Sequence, residues 1–360
     1  MLPPMSPPMS PPMSPRTTPP TPTPAGPGAQ SPVRPGDVAR WLFWVQARKL
    51  LPVGHPALVR SVLPLWRLRQ LAAAGPAAAL MADEYRRSFG HVGPDAVPNA
   101  YRVAFRAHYE ELLLGKLTAD NWQGYIRFEG REHLDAALAR KKGALLLFPH
   151  AGNVMLMLAA VSLAGYPYTQ YAARGLAPPE VAKEHPELFG HNWFRAETRR
   201  VREASEDTLP AKFLTLETPL RQLYRRLADN ELVGIAFDGR IGTKFTVVPY
   251  LGRQALLNPG PYRMAISTGA AIVPTWAECP AEGPDICHFG APISPEGHTP
   301  ESLCAAFIAV MERWLAAHPE QYGTWLLHCR LRAAVDDHPL FIDYAPDDRW
   351  RKYAGSAGRG

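Results

Sequence analysis

Two stretches hold the residues whose types and setting could do chemistry: Phe148-Pro-His150-Ala-Gly-Asn153-Val-Met155 and Phe237-Asp238-Gly-Arg240. A neutral imidazole can take a proton from a hydroxyl or an amine near pH 7, and a carboxylate can orient that imidazole or bind a substrate hydroxyl. Each residue also has a plain structural reading. His150 could be a hydrogen-bonded histidine at a strand end, and Asp238 a turn aspartate before glycine. Arg240, Lys244 and Arg253 follow Asp238 closely. With the N–H groups of a helix start near residues 258–261, they would suit a phosphate, the alternative for each being a solvated surface cation.

The elements that must position these residues are legible in the hydrophobic pattern. Residues 144–148 (ALLLF) read as a buried strand that Pro149 stops, because proline has no N–H for a ladder. Gly152 permits a tight turn, and Asn153 can cap an apolar helix over 154–165. Strand, histidine loop and apolar helix together present one base at the carboxyl edge of an α/β sheet. Asp238 also ends an apolar run, 232–237, so it belongs at a strand end too. Further helices are expected over 82–117, 132–140, 218–229 (capped by Thr218, with Pro219 first), 262–268 and 302–317. Further strands are expected over 122–129, 166–171, 244–253 and 269–274. Residues 174–210, polar and rich in both charges, read as an irregular segment of the kind that covers a substrate.

The 360 residues are 46% apolar, ample for one large domain. Residues 1–36 stand apart: they carry 14 of the 39 prolines in an imperfect PPMS repeat, which predicts a disordered tail rather than a signal peptide. Residues 37–80 mix Trp41, Trp44 and Trp66 with arginines. From residue 31 to 70 there are seven Lys or Arg and one acid, Asp37, an excess equal to the formal +6 of the whole chain. Basic residues beside tryptophans suit an anionic membrane surface, or else helices packed on the main domain. No run of 18 apolar residues suggests a spanning helix. The pI near 9.2 raises nucleic acid as a partner, but no zinc-finger spacing or RNP-like motif supports it. Cys279, Cys287, Cys304 and Cys329 have no CxxC pairing and read as reduced, buried thiols.

Four segments over about residues 100–332 resemble, in order, the lysophospholipid acyltransferase superfamily, and within it the bacterial lipid A lauroyl/myristoyl and phosphatidylinositol mannoside acyltransferase branch. They are residues 128–138 (FEGREHLDAAL), His150-Ala-Gly-Asn153, residues 233–274 with VPYLGR inside, and residues 311–330 with HPEQ inside. The resemblance implies a single α/β domain over 81–335, a mixed central sheet flanked by helices as in glycerolipid acyltransferases, with a polar, peripheral tail over 336–360. It implies transfer of a fatty acyl group from an acyl-CoA or acyl carrier protein thioester to a lipid hydroxyl or an amine, with His150 as general base. Backbone N–H groups would stabilise the oxyanion, the 154–165 helix would line an acyl channel, and Gly152, Asn153, Met155, Arg240, Lys244 and Arg253 would contact substrate. No metal or cofactor is needed, and the setting would be cytoplasmic, peripheral on the inner face of the cell membrane.

The family pattern has Glu or Asp where this chain has Met155. Methionine cannot balance an imidazolium. Three outcomes follow: another acid substitutes, with Asp238 the first candidate; the acceptor is an amine that needs less help; or the site is dead and the fold binds lipid or a carrier protein.

Overall fold

The computed structural model describes residues 32–65, 75–172, 192–215, 218–240, 242, 244–333 and 338–344. The expected disordered tail, except its last residues, lies outside them, as do Trp66 and most of the segment before Asn192. The helices are α1 (Pro35–Trp41), α2 (Pro56–Arg60), α3 (Pro76–Phe89), α4 (Ala96–Glu111), α5 (Arg131–Ala139), α6 (Val154–Leu163), α7 (Trp193–Glu206), α8 (Arg221–Ala228), α9 (Gly260–Thr268), α10 (Pro300–Ala317) and α11 (Gly323–Arg332). The strands are β1 (Ile126–Glu129), β2 (Ala144–Phe148), β3 (Tyr168–Tyr171), β4 (Lys212–Leu214), β5 (Leu232–Ala236), β6 (Thr246–Tyr250), β7 (Arg253–Leu257), β8 (Ala271–Glu278) and β9 (Asp285–Phe289).

Seven strands form a mixed sheet in the order β1-β9-β8-β2-β5-β3-β4, parallel at every pairing except β8 with β9. Strands β6 and β7 form a separate antiparallel hairpin. Strand β2 is fully covered, and its side chains alternate between two cores as the two-residue strand period requires. Ala144, Leu146 and Phe148 face α5 and α6; Leu145 and Leu147 face α8 to α11. Complete burial of an aliphatic side chain contributes about 1.5–3 kcal/mol, which makes β2 the anchor of the site it leads into. Trp44 and Val59 sit in the α5/α6 core, so the basic entry segment packs on the domain. Part of its positive charge turns inward: Arg48 donates to the Leu112 carbonyl, and Arg60 to those of Gly124 and Tyr125.

Several expectations need correction. The helix expected over 82–117 is two, α3 and α4, because Gly90 takes a left-handed conformation (φ +77°) and ends α3. Residues 193–206 are helical, not irregular; the Asn192 side chain accepts the Arg195 N–H and starts α7. Thr218 does not cap α8. Its hydroxyl accepts the Thr215 N–H, and the helix begins at Arg221. Pro274 lies within β8, not at its end, and strands β4, β7 and β9 had no clear sequence signal. Beyond Ala333 the chain is not peripheral throughout: Leu340, Phe341 and Tyr344 are buried in the α8–α11 core.

Candidate active site

Strands β2 and β5 are parallel neighbours in which Phe148 pairs with Ala236, and the Phe237 N–H donates to the Phe148 carbonyl at 3.1 Å. Both chains leave the sheet at one level, so the residues two positions on, His150 and Asp238, meet above its carboxyl edge. His150 Nδ1 lies 2.7 Å from Asp238 Oδ1, and the His150 backbone N–H donates to Asp238 Oδ2 at 3.0 Å. The Tyr322 hydroxyl donates to the same Oδ2 at 2.7 Å. Asp238 is fully buried, a costly position for a carboxylate unless donors replace water, and these three do so. Burial holds the Tyr322 and Tyr250 phenols well above their usual range, which keeps both protonated and Tyr322 a donor. His150 is one-third open, with its side chain 34% exposed. The Trp325 indole stacks on its ring, centroids 3.8 Å apart and planes 14° from parallel.

The loop carrying His150 is fixed from below. Gly152 has φ +62°, and a Cβ there would collide with the Ala277 carbonyl, so only glycine fits. Its N–H donates to the Gln321 carbonyl at 3.0 Å. The Asn153 side chain accepts the Leu156 N–H and caps α6, as the sequence led one to expect. Its amide also donates to Glu110 at 3.1 Å. Glu110 and Asp285 are buried beside Arg106, whose guanidinium lies 2.6 Å from Asp285 and 3.4 Å from Glu110. Burial raises the proton affinity of both carboxyls above the usual carboxylate range, and at Glu110 the neighbouring Asp285 charge adds to it.

The structure therefore unites His150, Gly152, Asn153 and Asp238 and gives the other candidates different partners. Met155 is half-buried and packs against the α5/α6 core, while the imidazole Nδ1 is bound to Asp238 instead. Arg240 does not present its guanidinium to a phosphate: it donates to the carbonyls of Asp238, Leu256, His338 and Pro339. Arg253 is buried, ion-paired to Glu84 at 2.7 Å and Asp343 at 2.6 Å, and lies over the Phe341 ring. The expected phosphate cradle is dismantled further at α9, where the Asn258 side chain takes the Gly260 N–H. Lys244 is exposed. Tyr322, Trp325 and Gln321 were missed as site residues. Their only sequence signal was membership of the C-terminal segment of the resemblance, which says nothing about what they touch.

The protein is thus an α/β protein with a histidine–aspartate pair at the carboxyl edge of a mostly parallel sheet. The family model of the bacterial lipid A biosynthesis acyltransferases matches residues 97–333. The chain belongs to that family. It is 28% identical over 155 residues to the phosphatidylinositol mannoside acyltransferases of two Mycobacterium tuberculosis strains, CDC 1551 / Oshkosh and ATCC 25618 / H37Rv. The match covers 41% of this chain and 43% of each relative, so less than half of the relatives' length is spanned. Among solved structures, the 1-acyl-sn-glycerophosphate acyltransferase PlsC of Thermotoga maritima aligns over 72% of this chain and 96% of its own, at 12% identity and a TM-score of 0.33.

Proposed function

We propose that the protein transfers a fatty acyl group from a thioester donor, acyl-CoA or acyl carrier protein, to a hydroxyl or amine of a lipid-like acceptor. The observation that carries this reading is the 2.7 Å contact between His150 Nδ1 and Asp238 in a chain that lacks the family's acid at Met155. With Nδ1–H directed at Asp238, Nε2 is the ring nitrogen that accepts a substrate proton. The acceptor oxygen or nitrogen attacks the thioester carbonyl, a C–O or C–N bond forms, and its proton passes to Nε2. The tetrahedral intermediate collapses, the C–S bond breaks, and the imidazolium returns the proton to the departing thiolate. Asp238 holds the tautomer and balances the transient charge, the part played by aspartate in a serine–histidine–aspartate system with substrate in place of serine. Two of the three routes around Met155, an amine acceptor needing less help and a dead site, are then unnecessary.

A lipid-like acceptor also fits the entry segment. Leu42 (50% exposed), Leu50 (84%), Leu58 (57%) and Leu65 (52%) stand out from it, and Trp193 (62%) joins them by packing on Trp41. With Arg40 and Lys49 also exposed in this segment, these side chains suit peripheral contact with an anionic lipid surface. Among the described residues no helix is long and apolar enough to cross a membrane.

The test is thiol release from acyl-CoA and acyl carrier thioesters with a panel of lysolipid, glycolipid and amine acceptors. Acceptor-dependent release that disappears in His150→Ala is expected. Wild-type turnover in His150→Ala overturns the assignment of the base.

A further inference from the structure

Four residues of the C-terminal stretch 321–325 hold it against the His150–Asp238 pair. The Gln321 carbonyl takes the Gly152 N–H, and its side-chain amide bonds both the N–H and the carbonyl of Cys279, tying the segment to the end of β8. Tyr322 donates to Asp238. Gly323 lies so close to Tyr85 that a Cβ would clash with its hydroxyl, which locks the start of α11 against α3. Trp325, on the first turn of α11, covers one face of the His150 ring. Its indole N–H is buried and meets no acceptor among the described residues, so stacking, not a hydrogen bond, sets the ring's place at the site.

We propose that Trp325 and Tyr322 are positioning residues that set, in opposite senses, how readily His150 carries a proton. This rests on the reading of His150 as the base. An aromatic face attracts a cation more than a neutral ring, so the indole favours the imidazolium that forms during transfer. The Tyr322 hydroxyl instead draws charge from the Asp238 carboxylate, so it weakens the attraction between Asp238 and the imidazolium. The other charged or titratable groups near the pair are Arg240, whose guanidinium donates to the Asp238 carbonyl and is unchanged in every variant, Tyr250 and Tyr262, which feel the Asp238 charge, and His328, whose ring stacks on Trp325 with centroids 5.0 Å apart.

The experiment is an NMR titration of His150 in the full chain, with His328→Gln as background so that the second ring does not contribute. Its signal is assigned by its loss in His150→Gln. Trp325→Leu should move the His150 midpoint down by about 0.4–0.7 pH unit, and Trp325→Phe by less. Tyr322→Phe, which removes one oxygen from a buried ring, should move it up by about 0.5–1 unit. The acid limb of kcat/KM against pH should follow in the same two directions. Midpoints that overlay the parent, or that move the same way in both variants, overturn the proposal. The titration needs no substrate. Shifted midpoints in a protein without transferase activity would therefore uphold the proposal and count against the function; unshifted midpoints with His150-dependent turnover would do the reverse.

Discussion

Two buried constellations of carboxylates lie close together and behave differently. Asp238 is surrounded by donors that are neutral or can become so: the imidazole and backbone N–H of His150 and the phenol of Tyr322. Glu110 and Asp285 are faced instead by Arg106, a fully buried guanidinium, with Arg60 3.8 Å from Glu110. Arginine does not lose its proton in a protein, so the cation of that cluster is constant and holds it as a support. The imidazole of the first constellation is the kind of partner that can gain and lose a proton, which is what the proposed function asks of it. The same acidic side chain is structural or chemical according to its partner. Asn153 joins the two, capping α6 in the His150 loop while bonded to Glu110.

The largest effect expected from breaking this contrast is at Asp238. Asp238→Asn should lower kcat by about three to four orders of magnitude, since the wrong tautomer then faces the acceptor. Thermal unfolding should show a folded protein, and activity within tenfold of wild type would assign the carboxylate a structural role only. Met155→Glu sharpens the point. Because Asp238 already occupies Nδ1, the new acid should give no gain in turnover alone, and because residue 155 packs against the α5/α6 core it should not rescue Asp238→Asn either. A large gain would mean that the family's usual acid position still reaches the imidazole.

On the support side the readout is stability. Arg106→Met leaves two buried carboxylates without their main cation and should cost about 3–5 kcal/mol in denaturant unfolding. Glu110→Gln is milder and depends on pH. The carboxyl holds its proton more tightly folded than unfolded, so its penalty is absent below the ordinary value of 4.5 and grows as pH rises from there. Glu110→Gln should therefore gain stability relative to wild type between pH 5 and pH 7, with the difference closing toward pH 4. A gap that widens on acidification would reverse the sign assigned to this pair. The smallest effect is at the entry segment: Leu50→Glu with Trp193→Glu should weaken retention on anionic vesicles several-fold while leaving turnover of a water-soluble acceptor unchanged. Equal retention would remove the lipid-facing role from that surface.

Much of the site was open to reading from the chain because its signals are local. An apolar run ended by proline, a glycine that only a left-handed turn would demand, and an asparagine at a helix start all act within a few residues of His150. The end of β5 at Asp238 was equally local. The arginines misled for the complementary reason. A guanidinium near a helix start looks the same in sequence whether it faces a phosphate or, like Arg240 and Arg253, is taken up by carbonyls, carboxylates and aromatic rings. Which partner it finds depends on residues such as Glu84 and Asp343, far away along the chain.

By itself, then, the sequence determined the strand-loop-helix that presents His150, the second strand end that presents Asp238, and the absence of an acid at residue 155. Local pattern and backbone chemistry suffice for those. Only the tertiary structure decided that β2 and β5 are neighbours in register, so that one acid could serve in place of another. It alone brought Tyr322 and Trp325 onto the pair, since strand order and helix docking are settled by burial of faces across the whole domain and leave no mark at the residues they bring together.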